Sequence, residues 1–464
     1  MKTSLRSLIA LAALSVILAC CFGATESAQL MSAENLDSLA QQAASPDESQ
    51  AAAAVKQLRA AGPAGLDAMF HAYQNRIEAR QPANAKDADW ERLRATFDSV
   101  GQQRDCYASH LYWFTDLERA KAAARASGKP ILSLRLLGNL DEEYSCANSR
   151  FFRTTLYPNA EVSQYLREHF ILHWQSVRPV PRITIDMGDG RRIERTITGN
   201  SIHYILDAEG NPIDALPGLY GAKAFLTELN RAVAAEQQAA KLTGAERNAF
   251  LERYHSLRLA EVRQQWKSDL AKFVPVTGPA PASSFSTSAR TPDAIDAAPR
   301  AASKMAVEVP LLRAGAESPW SREQDRLTAL STDAVWQQIG ALHTSEAKLD
   351  VSSIKLIKLK QPPTAADAMP RAYAKSIVET PMLRMLRNLE RSIAEDTVRN
   401  EYQLHSRIHE WFANGIAPQN LNALNSKIYA ELFLTPNSDA WLGLAPADVY
   451  SALDGGGLVQ TKVP

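Results

Sequence analysis

With 51 basic and 51 acidic side chains among its 464 residues, the chain has no net formal charge. That argues against a nucleic-acid partner, which requires a basic face to displace counterions. An apolar fraction of 45% is ample for buried cores, and the length implies two or three domains.

Residues 1–24 predict export. Lys2 and Arg6 supply a short positive start, and residues 8–18 are uncharged but too short a run to span a bilayer comfortably. These are the features of a bacterial-type secretory signal. Within it, Ile17-Leu18-Ala19-Cys20 has the pattern of a lipobox, in which Cys20 is acylated and becomes the mature N-terminus. The alternative is cleavage near Gly23 and Ala24, which discards Cys20 and Cys21. Either route predicts a location in the periplasm or outer cell envelope, with a lipid anchor as the sole membrane contact. Cys106 and Cys146 survive processing. In an oxidising compartment they either pair or do redox work, and their number does not decide between the two.

Residues 25–104 predict a helical N-terminal region. Leu36, Leu39, Val55, Leu58, Leu66, Met69 and Phe70 keep helical spacing, Gly62-Pro63 breaks one helix from the next, and a further helix covers residues 90–100. Residues 105–240 alternate helical and strand patterns. A helix over 117–127 ends at Gly128, and a strand follows over 131–137. Residues 146–168 form a long helix with a break at Pro158, followed by a strand over 170–174. Period-two residues around Gly188-Asp189-Gly190 predict a β-hairpin. Strands over 202–206 and 212–216 and a helix over 222–234 complete the unit. The expected fold class is α+β, a central sheet covered by helices and flanked by N- and C-terminal α-helical regions.

A helix over 241–273 leads into residues 274–316. These are rich in Pro, Ala, Ser and Thr and predict a flexible linker, because such composition buries too little to offset its ordering entropy. Residues 317–464 predict a helical C-terminal domain, in which Leu383, Leu386, Leu389 and Ile393 share one face.

Three short motifs in the central region carry a resemblance: Lys129-Pro130-Ile131-Leu132, Tyr144-Ser145-Cys146-Ala147-Asn148-Ser149, and Ile205-Leu206-Asp207-Ala208-Glu209-Gly210. Together with the order helix, strand, helix, strand, strand pair, helix, they make residues 117–235 similar to the thioredoxin-like superfamily, above all its exported members. The resemblance implies a thiol site at Cys146, where such proteins carry Trp-Cys-x-x-Cys. A helix start favours thiolate through its unpaired N–H groups, and Arg150 and Arg153 would push the same way, against Asp141, Glu142 and Glu143. Two departures matter. Ser149 replaces the resolving cysteine, so Cys146 cannot close a Cys-x-x-Cys disulfide, although a partner protein, a small thiol or Cys106 remain open to it. Ser201 aligns with the family's cis-proline, so the bond there is expected to be trans. His203 lies on the same strand face as Ser201 and is a candidate proton acceptor for the sulfur, or else a half-buried histidine. The candidate catalytic set is Cys146, Ser149, Ser201 and His203.

His405 and His409 stand one helical turn apart, a spacing that can hold a metal, but they lack the Glu of a zinc protease and read as a packed amphipathic helix. His169 and His173 straddle a helix-to-strand junction. No metal or cofactor is assigned. Two functions follow as expectations: an envelope protein with a single reactive thiol, or a non-catalytic interaction protein built on the same fold.

Overall fold

The computed structural model describes residues 33–79, 87–196, 200–275, 322–360 and 380–433. The predicted signal with Cys20, almost all of the predicted linker, and the apolar tail beyond Phe433 lie outside these residues. The chain divides into two compact units, residues 1–72 and 73–464.

In the first unit, helix α1 (Ala33–Ala43) is followed by α2 (Glu48–Ala60), whose Asp47 cap accepts the N–H groups of Ser49 and Gln50. Gly62 adopts a φ of 71° and ends the turn before α3 (Pro63–Glu78), where the sequence predicts the break. Gly65 lies so close to α2 that a Cβ there would meet the Leu58 carbonyl oxygen at 2.1 Å.

The second unit is mixed α+β and mostly helical, around a small four-stranded sheet. Helix α4 (Ala88–Gly101), the single turn α5 (Cys106–Ser109) and α6 (Leu117–Ser127) precede the first strand, β1 (Ile131–Leu137). Gly128, with φ 70°, closes α6 where the sequence predicts. Every residue of β1 is buried, as befits a strand with neighbours on both edges and cover on both faces. The long helix predicted after it is three pieces: α7 (Ala147–Phe151), a π-helical turn (Phe152–Leu156) and, beyond Pro158, α8 (Ala160–His169). β2 (Ile171–Arg178) runs parallel to β1. The predicted hairpin forms as β3 (Arg182–Asp186) and β4 (Arg192–Thr196), but as a separate two-stranded ribbon. No residue of β3 is fully buried, so this strand has no apolar face to bring to the main sheet. β5 (Ser201–Leu206) and β6 (Pro212–Pro217) complete the sheet in the order β2-β1-β5-β6, with both β1–β5 and β5–β6 antiparallel.

Helices α9 (Ala222–Ala239) and α10 (Gly244–Leu270) follow. After the linker come α11 (Arg322–Leu330), α12 (Asp333–Leu342), α13 (Val351–Lys360) and α14 (Thr380–Arg399). A π-helical segment (Asn400–His405) joins α14 to α15 (Ser406–Ala413), and α16 (Leu421–Lys427) ends in another π turn. The sequence sets this region apart as a domain, yet the helices pack on the sheet. Thr397 Oγ1 accepts the Gly221 N–H (2.8 Å), Asn400 donates to the Leu219 carbonyl (2.7 Å), and the Tyr204 hydroxyl donates to Asn425 (3.1 Å). The C-terminal helices share a core with α10, in which Trp266, Trp336 and Tyr402 stack among Val262, Ile339 and Val398.

Gly340 marks the tightest helix contact in that core. A Cβ there would stand 2.9 Å from Glu395 Cα and 3.1 Å from its backbone nitrogen, atoms that cannot swing aside. Ala gains about 1 kcal/mol over Gly in helix propensity, whereas overpacking costs about 1–3 kcal/mol. Gly340→Ala is therefore expected to lower unfolding free energy in urea titrations, and an increase would show that α12 and α14 are less closely apposed.

Candidate functional site

Cys146 is the N-terminal cap of α7, the position expected for it. Its backbone N–H donates to the Leu137 carbonyl (3.1 Å), and its own carbonyl accepts from the Arg150 N–H (3.2 Å) and from Ser149 Oγ (2.9 Å). Ser149 thus bonds back to the carbonyl of its own first helical turn. The loop holding Ser201 also arrives as expected, since Ser201 Oγ accepts from Asn148 Nδ2 at 2.9 Å. The peptide bond before Ser201 is trans, and no cis bond occurs among the described residues.

The surroundings differ from those of an open thiol. Cys146, Ser149, Ser201 and Asn148 all have no exposed surface. The Cys146 sulfur lies within electrostatic reach of two buried tyrosines. Burial raises both Tyr157 and Tyr429 well above their usual pKa, and Cys146 adds to each rise. Tyr429, from the π turn after α16, donates to the Asn200 carbonyl at 3.1 Å beside the Ser201 loop. Arg153 does not act as an open cation on the thiol. It is buried, ion-paired with Asp105 (3.7 Å), and donates to the Glu143 carbonyl (3.1 Å) and Ser145 Oγ (3.3 Å). Glu143 in turn pairs with Arg104 (3.1 Å) and Lys360 (3.7 Å). The α-helix behind Cys146 is five residues long and widens directly into the π turn.

His203 shares the Ser201 face of β5, but its Nε2 meets the Tyr157 hydroxyl at 2.8 Å, between Phe152 and Phe225. Burial pulls its pKa down to about 3, so the ring is neutral at physiological pH. His173, on β2, is similarly lowered to about 3 by burial and Arg135, and its Nδ1 lies 2.8 Å from Ser133 Oγ. Cys106 is also a free, buried cysteine. Its N–H donates to Asp98 (3.0 Å), its sulfur to the Leu111 carbonyl (3.6 Å), and Gly101 makes room for the sulfur. Burial, with Asp105 nearby, raises Asp98 to about 7. The two cysteines are not joined to each other.

A second polar cluster lies where the C-terminal helices meet β6. His405 Nε2 stands 3.1 Å from Asp214 Oδ1, and its Nδ1 stands 2.8 Å from Glu401 Oε2. His409 Nδ1 is 3.9 Å from the same Asp214 oxygen and 2.9 Å from His255 Nδ1, while His255 Nε2 is 3.0 Å from the Ile213 carbonyl. Asp214 and all three histidines are buried. Burial pulls His405 down, but Glu401 and Asp214 outweigh it and hold it up at about 10. Asp214 is raised by burial and lowered further still by His405 and His409, ending well below the usual carboxylate range. Burial takes His255 down to about 4, and burial with His405 takes His409 far below the usual value.

Asp214 and His255 were not singled out in the sequence. The signal was present: an acid inside the apolar strand Pro212-Ile213-Asp214-Ala215-Leu216 must find a partner, and Glu401, His405 and His409 recur every four residues on one face. Comparison of the chain with protein-family models, characterised proteins and solved structures finds no match.

A buried neutral histidine sets a pH dependence. The folded pKa of His203 (about 3) lies below the unfolded value of about 6.5. The unfolded chain therefore binds more protons between those values, and stability is lost as pH falls through that window. One such group contributes a slope of up to about 1.4 kcal/mol per pH unit. His203→Phe is expected to make urea-derived stability less steep between pH 6.5 and 4, and an unchanged slope would mean that His203 is not held neutral.

Proposed function

We propose that the chain is an exported, thioredoxin-like protein of the cell envelope that does not carry out thiol–disulfide exchange, and whose central domain and helices serve as an interaction scaffold. The thioredoxin-like part of this reading is supported by element order. Helix α6, β1, the helix broken at Pro158, β2, the β5–β6 hairpin and α9 follow one another as the resemblance implies, with β3–β4 as an additional ribbon. Export and a lipid anchor at Cys20 rest on the sequence of residues 1–24. Among the described residues, no helix is long and apolar enough to cross a membrane.

The observation that carries the non-catalytic part is the complete burial of Cys146. Exchange requires a thiolate in line with an incoming disulfide, hence an accessible sulfur. Here Ser149 is committed to the Cys146 carbonyl, Ser201 to Asn148 and His203 to Tyr157, which with the burial of Cys146 leaves none of the four candidate residues placed for transfer.

The test is alkylation of the full chain with iodoacetamide at neutral pH, with each cysteine followed by mass spectrometry in native buffer and in denaturant. Cys146 is expected to react at least about 100-fold more slowly in the native protein, because labelling must wait for local opening. Native labelling at the rate of an open thiol would overturn the reading. Cys146→Ser is expected to leave captured partners unchanged, whereas partners lost with the sulfur would restore the redox alternative.

A further inference from the structure

The cluster at β6 makes no use of the thiol and has its own chemistry. We propose that Asp214, His405 and His409, with His255 as fourth donor, form a closed structural site for one divalent metal ion of the zinc type, binding α10 and the C-terminal helix to the edge of the sheet.

The donor atoms converge. Asp214 Oδ, one nitrogen of His405 and one of His409 all lie within 4.8 Å of one another. The measured separations, His405 Nε2 to Asp214 Oδ1 at 3.1 Å, His409 Nδ1 to Asp214 Oδ1 at 3.9 Å and His255 Nδ1 to His409 Nδ1 at 2.9 Å, bracket the edge of a tetrahedron. With metal–ligand bonds of about 2.0–2.1 Å that edge is about 3.4 Å. His255 stands outside this group, in hydrogen-bond contact with His409 alone among its members, and becomes the fourth donor by turning its ring toward the other three.

The outer contacts are those that metal ligands use to fix a tautomer. Glu401 holds His405 Nδ1 at 2.8 Å, leaving Nε2 for the ion. The Ile213 carbonyl takes the His255 Nε2 proton at 3.0 Å, leaving the Nδ1 lone pair facing inward. The Tyr254 hydroxyl donates to Asp214 Oδ2 at 2.8 Å, leaving Oδ1. With the His255 lone pair fixed in this way, the 2.9 Å approach of two Nδ1 atoms is met either by a His409 Nδ1–H that donates to His255 or by a metal ion between them.

Glu228, Glu401 and His405 also come close enough to ligate, but Glu228 is tied to Arg258 (2.8 Å), and Glu401 accepts from Tyr220 (3.1 Å) as well as facing His405. Three imidazoles and one carboxylate suit zinc and its first-row neighbours, whereas carboxylate pairs suit magnesium. Full burial of the donors closes the site to substrate and bulk water, as suits a structural rather than a hydrolytic ion. A ligand nitrogen binds through a bare lone pair, so any proton on a donor atom passes to solvent as the ion enters.

The experiment uses the full chain stripped by dialysis against a chelator and titrated with Co(II), then with Zn(II) in competition. The expected result is one equivalent of Co(II) with the intense visible bands of four-coordination, displaced by Zn(II), and a melting temperature that rises with Zn(II). His405→Gln and His409→Gln are expected to abolish the bands, and Glu401→Gln to weaken affinity by about 10–100-fold. Three results would overturn the proposal: no saturable binding by the wild-type chain, the weak bands of six-coordination, or binding that survives both histidine replacements. If either variant fails to fold, the wild-type titration and melting shift decide alone. A proton network without metal gives the first of these results, and none of them bears on the alkylation of Cys146.

Discussion

The arrangement of the second unit depends on one buried carboxylate. Asp214 sits inside β6 with both strand neighbours apolar and 1% of its surface exposed. An isolated ionised carboxylate in such a place is prohibitively expensive, so it must be paired and hydrogen-bonded. Along the chain it receives the Ala215 N–H (2.8 Å), which carries no charge to offset its own. Its partners are Tyr254 and His405, 40 and 191 residues away, and His405 is itself held by Glu401. Glu401 also lies 3.4 Å from Arg258, which binds Glu228 on α9. Breaking such a buried pair costs about 3–5 kcal/mol, because a bare charge remains. The need to neutralise Asp214 therefore brings α10 and the C-terminal helix against the sheet edge, where apolar packing around Trp266 and Trp336 completes the contact.

The same docking closes the thiol. Once the segment around residue 400 lies along β6, the chain continues to α16, and Tyr429 reaches the Asn200 carbonyl while Asn425 receives the Tyr204 hydroxyl. Helix α13 contributes from another side, with Ser353 Oγ donating to the Thr155 carbonyl (2.9 Å) and Lys360 pairing with Asp105 (2.7 Å). Cys146 thus faces side chains of its own chain, and Tyr429 from beyond residue 400 is among those within its reach.

Local structure was largely legible in the sequence. The α6–Gly128–β1 boundaries, the Gly62-Pro63 turn, the break at Pro158 and the Gly188-Asp189-Gly190 hairpin each rest on residues whose backbone preference acts at short range. The placement of Cys146 at a helix start beside Ser201 was legible for the same reason. Burial was not, because period and propensity describe one element at a time, whereas the groups around Cys146 include Tyr429 from the far end of the described chain. The role of Arg153 was misjudged on the same ground: helical spacing brings it near Cys146, but Asp105, which engages its charge, comes from a residue in left-handed conformation (φ 61°) that no periodicity reveals. The ribbon β3–β4 was read as a hairpin correctly, but nothing in its alternation says whether a hairpin joins a sheet or stands apart.

The π-helical segment explains how one stretch of helix serves both the charged seam and the apolar core. Three consecutive residues all make buried contacts: Asn400 with the Leu219 carbonyl, Glu401 with Arg258, Tyr220 and His405, and Tyr402 with Trp266 and the Asp269 carboxylate at 2.7 Å. In a regular α-helix successive side chains turn by about 100°, so three of them span just over half a circle. The wider π turn lessens that step and draws the three toward one side, consistent with the tendency of π-bulges to occur where side-chain placement matters more than helix regularity. Glu401 and His405 lie within this segment and His409 one turn beyond it, so that the carboxylate, the bridging imidazole and the inner imidazole succeed one another along the face that meets Asp214.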